Sequence, residues 1–329
     1  MLKAYDYVEY PPDSASLDSP GYFEKELAIA HGIVKRTGTI STKASCCPAC
    51  RSKQISHFCE KWEVEYLRCE ECETVFAAAS EEEARQYRQQ EELKAFRISE
   101  EYQKEAAHKR EVSWMESLDW VTFRTYRYLG KNTGLHILDI GNRYGRYAKM
   151  FAAAPITEHY ELRESILQQE DTDICSFAKE SIQKADLVLY LNQIQQTLEP
   201  LQRLREIHDT MQDGALLFFS TRMGTGFDVL TLKEHAKIFP FEHVFLPSRK
   251  GMEHLLSEAG FRILEYSTPG RMDVGTVLKQ PEWIGEGDYF VRSLIKNSDA
   301  SSLAEFQRFL QKSGMSSYAQ IVALKLADQ

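Results

Sequence analysis

The chain has 329 residues, of which 43% are hydrophobic and 27% charged, and its formal net charge is −9. This composition is typical of a folded globular protein, and the length predicts two or three structural units. The negative charge argues against a nucleic-acid partner, because binding to a duplex requires a basic surface that displaces counterions.

The sequence pattern indicates neither export nor membrane insertion. Residues 1–6 lack the apolar core of a secretory signal, and no apolar run approaches the roughly 20 residues that a membrane helix needs. Most of the seven cysteines lie in residues 46–72, which is not how a disulfide framework is spread through a large chain. We therefore expect a cytoplasmic protein with no membrane span.

Residues 1–44 are predicted to be a lead-in segment with one helix. Ser19 is a suitable helix N-cap, and Pro20 suits the first helical position. The helix is predicted to run to about residue 30 and to end at Gly32.

A zinc ribbon is predicted over residues 45–79. Two Cys-x-x-Cys pairs lie 18 residues apart, and their members are Cys47, Cys50, Cys69 and Cys72. This spacing fits a tetrahedral site with four thiolates, in which each pair lies in a tight turn and the strands at 54–58 and 64–68 bring the turns together. Two disulfides or four free thiols are the alternatives, and zinc is favoured over both.

A helical connector is predicted over residues 80–130. Ser80 and Glu83 have the spacing of a capping box. The run that follows is dense in charged residues with few apolar anchors, which is typical of a helix exposed to solvent.

From residue 131 to 329 the pattern alternates between strands and helices, which predicts a doubly wound, Rossmann-like α/β sheet of seven strands. The predicted strands are 135–140, 156–161, about 172–176, 186–191, 215–220, 261–266 and 318–326. Residues 274–279 are a weaker alternative for the last strand. Residues 270–315 are then expected to form a helical insertion.

The turn after the first of these strands is the candidate ligand site, because such sheets bind nucleotide-like ligands there. Its residues 141–145 lack the GxGxxG spacing that a dinucleotide pyrophosphate requires. S-adenosylmethionine has no pyrophosphate and needs only a close approach of this turn. The turn therefore favours S-adenosylmethionine over a dinucleotide.

Two polar residues at the ends of neighbouring strands are further candidates. Glu161 lies 20 residues after Gly141, where a carboxylate can accept hydrogen bonds from ribose hydroxyls. Asn192 ends the fourth strand and is expected to face the same crevice. The ordinary alternatives are a surface acid and a strand cap.

Several segments together resemble class I S-adenosylmethionine-dependent methyltransferases. They are 47–52, 68–72, 138–141, 242–248, 258–261, 267–274, 306–310 and 316–317. More narrowly, they are similar to bacterial methyltransferases with an N-terminal zinc ribbon, which are associated with sugar and cell-surface polysaccharide biosynthesis. The resemblance implies methyl transfer to a small saccharide, a nucleotide-sugar or a related metabolite, with structural Zn²⁺ in the ribbon.

The resemblance also implies a set of cofactor-binding residues. They are Asp139, Gly141, Asn142, Arg143, Gly145, Glu161 and Asn192. The sequence departs from the family in two places: Arg143 stands where a glycine is usual, and Gln195 and Gln196 stand where a Glu-His pair is common.

Because glutamine does not take up a proton near neutral pH, a base must come from elsewhere. The resemblance places His243 near the site, which makes it the candidate catalytic residue, with a structural loop histidine as the alternative. A catalytically degenerate binding or assembly module is the second functional hypothesis. An enzyme of another class, in which Arg143 binds an anionic ligand, is the third.

Overall fold

The structure is a computed structural model, and it describes residues 21–37, 44–141, 148–163 and 184–327. The strands are β1 Ile55–Lys61, β2 Val64–Cys69, β3 Val75–Ala77, β4 Leu135–Ile140, β5 Thr157–Arg163, β6 Ala185–Leu191, β7 Met211–Arg222, β8 Phe245–Leu246, β9 Phe261–Ser267 and β10 Tyr318–Lys325. The helices are α1 Gly21–Thr37, α2 Glu81–Arg88, α3 Glu91–Ile98, α4 Glu100–Leu129, α5 Ala148–Ala152, α6 Pro200–Thr210, α7 Phe227–Leu232, α8 Arg249–Glu258, α9 Asp273–Leu278, α10 Tyr289–Asn297 and α11 Ala300–Ser313. In these ranges every helix is too short or too polar to cross a membrane.

The main sheet has the strand order β5-β4-β6-β7-β10-β9. The first four strands in this order run parallel, whereas β10 lies antiparallel between β7 and β9. This confirms the predicted α/β class and the choice of 318–326 as the last strand. The described residues form six of the seven predicted strands, and the remaining one, at 172–176, lies outside them.

Three predicted local features differ in the structure. Residues 274–279, the weaker strand candidate, belong to the helix α9. Strand β5 continues past Glu161 to Arg163, because its pairing with β4 continues to the end of that strand. Helix α1 does not end at Gly32, since Ile33 and Val34 continue its buried face.

Helix α4 packs against one face of the main sheet. Its residues Trp120 and Val121 are buried with Ile137, Leu187 and Phe218 from three adjacent strands. The second half of α4 therefore covers these strands. The Ser80–Glu83 capping box forms at the start of α2, where each side chain bonds to the other residue's backbone N–H.

The ribbon and the α/β domain share a second sheet, with the order β1-β2-β3-β8. Strand β8 comes from the α/β domain, and it pairs antiparallel with β3 through Val75–Leu246 and Phe76–Phe245. The buried side chains of the ribbon and those on the second face of the main sheet belong to one apolar core. The ribbon is therefore built into the fold, not appended to it.

Arg97 joins the lead-in helix and the connector to this shared core. Its guanidinium donates to Glu26 Oε1 at 2.6 Å, and it donates two hydrogen bonds to the Glu242 carboxylate at 2.5 and 2.9 Å. All three side chains are buried. A buried charge that loses its partner costs several kcal/mol, so this triad fixes α1 and α3 against the loop that leads into β8.

The helical insertion is held by a network around the buried Asp273. Its carboxylate accepts hydrogen bonds from Ser316 Oγ at 2.6 Å, from Ser317 N at 2.6 Å and from Gln307 Nε2 at 2.8 Å. Gln307 Nε2 also donates to Gly270 O at 2.8 Å. Three segments that carry the sequence resemblance, at 267–274, 306–310 and 316–317, therefore meet at one carboxylate.

A substitution at Gly224 tests how closely the ribbon packs against the main sheet. A Cβ at this residue would lie 2.6 Å from Leu246 O and 2.9 Å from Val75 Cβ, so Gly224→Ala forces β3 and β8 away. We expect Gly224→Ala to lower the free energy of unfolding by about 1–3 kcal/mol, as measured by urea denaturation. Gly287→Ala is the matched control, because nothing lies within 4 Å of its Cβ position. Equal stability of the two variants would contradict this docking.

Candidate functional site

The four ribbon cysteines form two turns with the same geometry. Arg51 N donates to Cys47 O and Glu73 N donates to Cys69 O, both at 2.9 Å. Arg51 and Glu73, the residues that follow the two pairs, both have left-handed backbone, with φ of 61° and 66°. Each turn therefore presents two sulfur atoms on one side, as the spacing predicted.

The sulfur atoms of the two turns meet at distances that suit a shared metal ion. Cys47 Sγ lies 3.6 Å from Cys72 Sγ, and Cys50 Sγ lies 3.5 Å from Cys69 Sγ. All four lie within 4.8 Å of one another. A tetrahedral ion with Zn–S bonds of about 2.3 Å places its sulfur ligands roughly 3.8 Å apart. The donor set therefore fits Zn²⁺ in kind, number and spacing.

The second cysteine pair lies against the N-terminus of helix α8. Ser248 caps this helix by accepting from Gly251 N at 2.9 Å, and its hydroxyl donates to Cys72 O. The hydrogen bond between the sulfur atoms of Cys47 and Cys72 lowers the pKa of the Cys72 thiol. A thiolate is the form that binds metal, and the positive end of the helix dipole favours it.

The carboxyl ends of the parallel strands form a second candidate site around Gly141. Gly141 has a φ of +88°, and a Cβ there would lie 2.5 Å from the side chain of Gln193. The Gln193 side chain can move aside, so it is the left-handed backbone that favours glycine at this position. Gly141 N donates to Arg163 O at 3.0 Å, which holds the end of β4 against the end of β5.

Asn192 lies at the same edge, directly after β6. Its backbone is left-handed, with a φ of 56°, and its N–H donates to Ser220 O at 2.9 Å. Tyr318 is partly buried near this strand end, and burial raises the pKa of its phenol. Tyr318 begins the antiparallel strand β10, so it reaches the same edge from the opposite direction.

Glu161 and Asp139 lie beside this edge. Glu161 pairs with Leu138 in the strand register, and Glu161 Oε1 accepts from Arg163 Nε at 2.7 Å. Asp139 is buried, and its Oδ2 accepts from Tyr160 Oη at 2.6 Å. Glu161 Oε2 takes no part in the bond to Arg163. Asp139 supports the end of β4 through its bond to Tyr160.

Three predicted site residues, Asn142, Arg143 and Gly145, lie outside the described residues. The structure brings Gly141 and Asn192 to one edge and places Glu161 two residues before the end of its strand. Sequence reasoning missed Gln193, Arg163 and Tyr318. Gln193 directly follows the predicted Asn192, so its position after the strand was the available signal.

The two glutamines at the Glu-His positions lie in the short turn Ile194–Gln196. Gln195 is buried, and its Oε1 accepts from Thr221 Oγ1 at 3.1 Å. Gln196 O accepts a hydrogen bond from Arg88. Through these hydrogen bonds, both residues connect the carboxyl ends of the strands to neighbouring elements.

His243 lies in the loop between α7 and β8. Its Nδ1 accepts from Phe239 N at 3.0 Å, and its carbonyl accepts from Tyr66 Oη at 3.2 Å. Burial and the nearby Arg222 lower the pKa of His243 to about 4, so the ring is neutral near pH 7. A neutral imidazole that accepts at Nδ1 carries its proton on Nε2, where it acts as a hydrogen-bond donor.

The ribbon metal site predicts that one substitution removes one zinc ion per chain. Cys72→Ser deletes a ligand, and we expect it to lower the zinc content by one ion and to destabilise the whole chain in one transition, because the ribbon shares its core with the main sheet. Metal analysis and thermal unfolding measure both effects. Cys46→Ser is the control, since Cys46 lies beside the cluster but outside it. Unchanged zinc content in Cys72→Ser would overturn the assignment.

The lowered pKa of His243 predicts a change of stability with pH. Between its ordinary pKa near 6.5 and the folded value of about 4, the unfolded chain binds more protons, so stability falls as pH drops below 6.5. His243→Asn keeps an acceptor for Phe239 N but does not titrate. We expect the urea midpoint to fall less in His243→Asn than in the unsubstituted protein between pH 7 and pH 5, with zinc in excess. Parallel pH profiles would contradict the assigned burial.

Comparison with known proteins gives a family match over part of the chain. Residues 107–266 match the family model described as a methyltransferase domain. No curated protein matches the sequence significantly. The matched segment contains the edge at Gly141 and Asn192, whereas the ribbon cysteines precede it.

Solved structures with a similar fold include three described in their names as methyltransferases or complexes of one. The plantazolicin methyltransferase BamL, with a desmethyl plantazolicin analogue and S-adenosylhomocysteine, is 14% identical, with 75% of this chain and 97% of that chain covered and a TM-score of 0.41. The Haemonchus contortus phosphoethanolamine N-methyltransferase 2 with S-adenosyl-L-methionine is 15% identical, covering 64% and 53%, at a TM-score of 0.39. The complex of the Haloferax volcanii Trm112 methyltransferase activator with a methyltransferase is 13% identical, with 68% of this chain and 96% of that chain covered and a TM-score of 0.39.

The matched residues 107–266 include the four parallel strands of the main sheet, from β4 to β7. Residues 107–266 of this chain are therefore similar to a methyltransferase domain.

Proposed function

We propose that the protein is an S-adenosylmethionine-dependent methyltransferase that acts on a small molecule. The observation that carries this proposal is the strand end at Gly141, where a glycine with left-handed backbone follows the first parallel strand inside the segment matching a methyltransferase domain. Gln193, Asn192 and Tyr318 line this edge with polar groups. A small, polar cofactor tail suits such an edge better than a pyrophosphate does.

The described residues fit the cofactor in three respects. Gly141 allows close approach of the backbone, Asn192 supplies an amide at the neighbouring strand end, and Glu161 has one carboxylate oxygen beyond its bond to Arg163. That oxygen can accept from a ribose hydroxyl. In this proposal Asn142, Arg143 and Gly145 complete the turn, and Asp139 supports it through Tyr160.

When bound, S-adenosylmethionine supplies an activated methyl group that passes to an oxygen, nitrogen or carbon nucleophile as the sulfonium sulfur retains the bonding electrons. The protein therefore contributes mainly by positioning the reactants. His243 remains the candidate catalytic residue from the sequence. Its hydrogen bond from Phe239 N makes Nε2 a donor, which suits orientation of an acceptor oxygen better than removal of a proton.

A saccharide, nucleotide-sugar or related metabolite is the acceptor that we propose. Its support is the resemblance of the segments at 267–274, 306–310 and 316–317, which converge on Asp273 next to the start of β10. A cytoplasmic location and a role in polysaccharide biosynthesis go with this proposal. We further propose that the ribbon zinc is structural.

Calorimetry with S-adenosylmethionine and S-adenosylhomocysteine tests the cofactor assignment. Glu161→Gln removes the charge of the proposed ribose acceptor, and we expect affinity to fall about tenfold, the equivalent of one charge-assisted hydrogen bond. Glu158→Gln is the control, because Glu158 is exposed on the same strand. Absence of binding to the unsubstituted protein would favour the degenerate module, and turnover of labelled cofactor with nucleotide-sugars would exclude it.

The same titration of Arg143→Gly separates the remaining alternatives. If Arg143 restricts the cofactor turn, replacement by the glycine usual in the family increases cofactor affinity. If Arg143 binds an anionic ligand, as in the hypothesis of another enzyme class, the replacement lowers the affinity.

A further inference from the structure

A cluster of two histidines and one carboxylate lies on the adjacent parallel strands β4 and β5. His136 is the direct register partner of His159. Glu161 lies two residues after His159, so both side chains project from the same face of β5. The sheet thus brings His136, His159 and Glu161 together without any contribution from a loop.

His136 is the residue that indicates a missing ligand. Its side chain is 6% exposed, and among the described residues neither Nδ1 nor Nε2 has a hydrogen-bond partner. A buried polar group without a partner costs about 1–3 kcal/mol, so native structures rarely contain one without an ion or water to satisfy it. Packing alone does not explain a buried imidazole in which neither ring nitrogen has a hydrogen-bond partner.

The distances in the cluster suit an ion better than direct hydrogen bonds. His136 Nε2 lies 4.0 Å from Glu161 Oε2, which is too long for a hydrogen bond. The rings of His136 and His159 have centroids 4.6 Å apart, and one ligand atom from each of the three residues lies within 4.8 Å of the others. Ligand atoms around an ion with bonds of about 2.0–2.2 Å lie roughly 3–4 Å apart, so small side-chain rotations close the site.

Arg163 orients the carboxylate for this role. Arg163 Nε donates to Glu161 Oε1 at 2.7 Å, which leaves Oε2 on the side of His136. A hydrogen bond to the oxygen that does not bind metal is the usual outer support of a carboxylate ligand. The ion pair therefore fixes the third ligand and does not occupy the space between the ligands.

We propose that His136, His159 and Glu161 bind a divalent transition-metal ion, with Zn²⁺ as the probe ion. Two imidazole nitrogens and one carboxylate oxygen form a donor set for zinc and its neighbours in the first transition row, and they leave a coordination position for water. The ion joins β4 to β5 just before Gly141. It is distinct from the ribbon ion, whose ligands are all thiolates, and it does not depend on the proposed methyl transfer.

The experiment uses the full chain with its ribbon zinc in place, after a mild chelator wash. Titration with Zn²⁺ against a chromophoric indicator is expected to show one further ion per chain. His159→Ala tests the ligand without disturbing the core, because His159 is exposed. We expect the affinity for this further ion to fall at least about tenfold in His159→Ala and in Glu161→Gln.

His57→Ala is the matched control. His57 is an exposed strand histidine that also pairs with a glutamate, at 3.1 Å from Glu65 Oε1, but it belongs to no three-ligand group among the described residues. This variant should bind the further ion unchanged. Failure of the unsubstituted protein to bind it, or equal binding by His159→Ala, would overturn the site.

The same variants distinguish this metal site from the cofactor site. Both assignments use Glu161 Oε2, which has one lone pair for the ion and another for a ribose hydroxyl. Glu161→Gln then weakens both zinc and cofactor binding, whereas His159→Ala weakens zinc binding alone. Loss of cofactor affinity in Glu161→Gln together with full zinc binding in all three variants would retain the cofactor assignment and reject the metal site.

Discussion

The pairing of β3 with β8 is the constraint on which the rest of the structure depends. Strand β8 has two residues, yet it joins the sheet of the ribbon to a loop of the α/β domain. Next to it, the N-terminus of α8 lies on the second cysteine turn, and Gly224 leaves just enough space for Leu246 and Val75. Because the backbone pairing is closely packed and the side chains on both strands are buried in one core, the ribbon fits in one position.

The pairing of β3 with β8 links the ribbon cysteines to the candidate ligand site at the carboxyl ends of the parallel strands. The loop that contains Gly224 follows β7, whose carboxyl end lies beside Asn192. His243 and Arg97 lie in or against the neighbouring loop that leads into β8, and both are held by buried hydrogen bonds. The ribbon therefore packs behind one side of the candidate ligand site, an arrangement in which the four cysteines support the fold.

Local patterns in the sequence predicted the parts of the fold that depend on neighbouring residues. The cysteine spacing predicted both turns, the Ser80–Glu83 spacing predicted a cap, and apolar runs predicted six strands of the main sheet. Strand β8 was missed because two residues give no periodic signal and its partner Val75 is distant in sequence. The end of β5 at Arg163 was missed for a related reason, since strand length is set by pairing with β4.

The candidate site was harder to predict because its chemistry depends on burial and on side-chain contacts. Sequence reasoning identified Gly141, Glu161 and Asn192 by position, but it could not show that Arg163 binds Glu161 or that Tyr318, on an antiparallel strand, pairs with Arg222 at the end of β7. His136 looked like an ordinary residue of an apolar strand. Only the register with β5 reveals that it faces His159 and Glu161.

The position of β10 between β7 and β9 has a consequence for how the chain folds. Until β10 arrives, β7 and β9 are two open strand edges with unpaired backbone groups, and such edges are prone to pair with other chains. Ser316 and Ser317, immediately before β10, bind Asp273 at the start of α9. The insertion thus holds the start of β10 near its position between β7 and β9. Completion of the sheet therefore depends on helices that lie outside it.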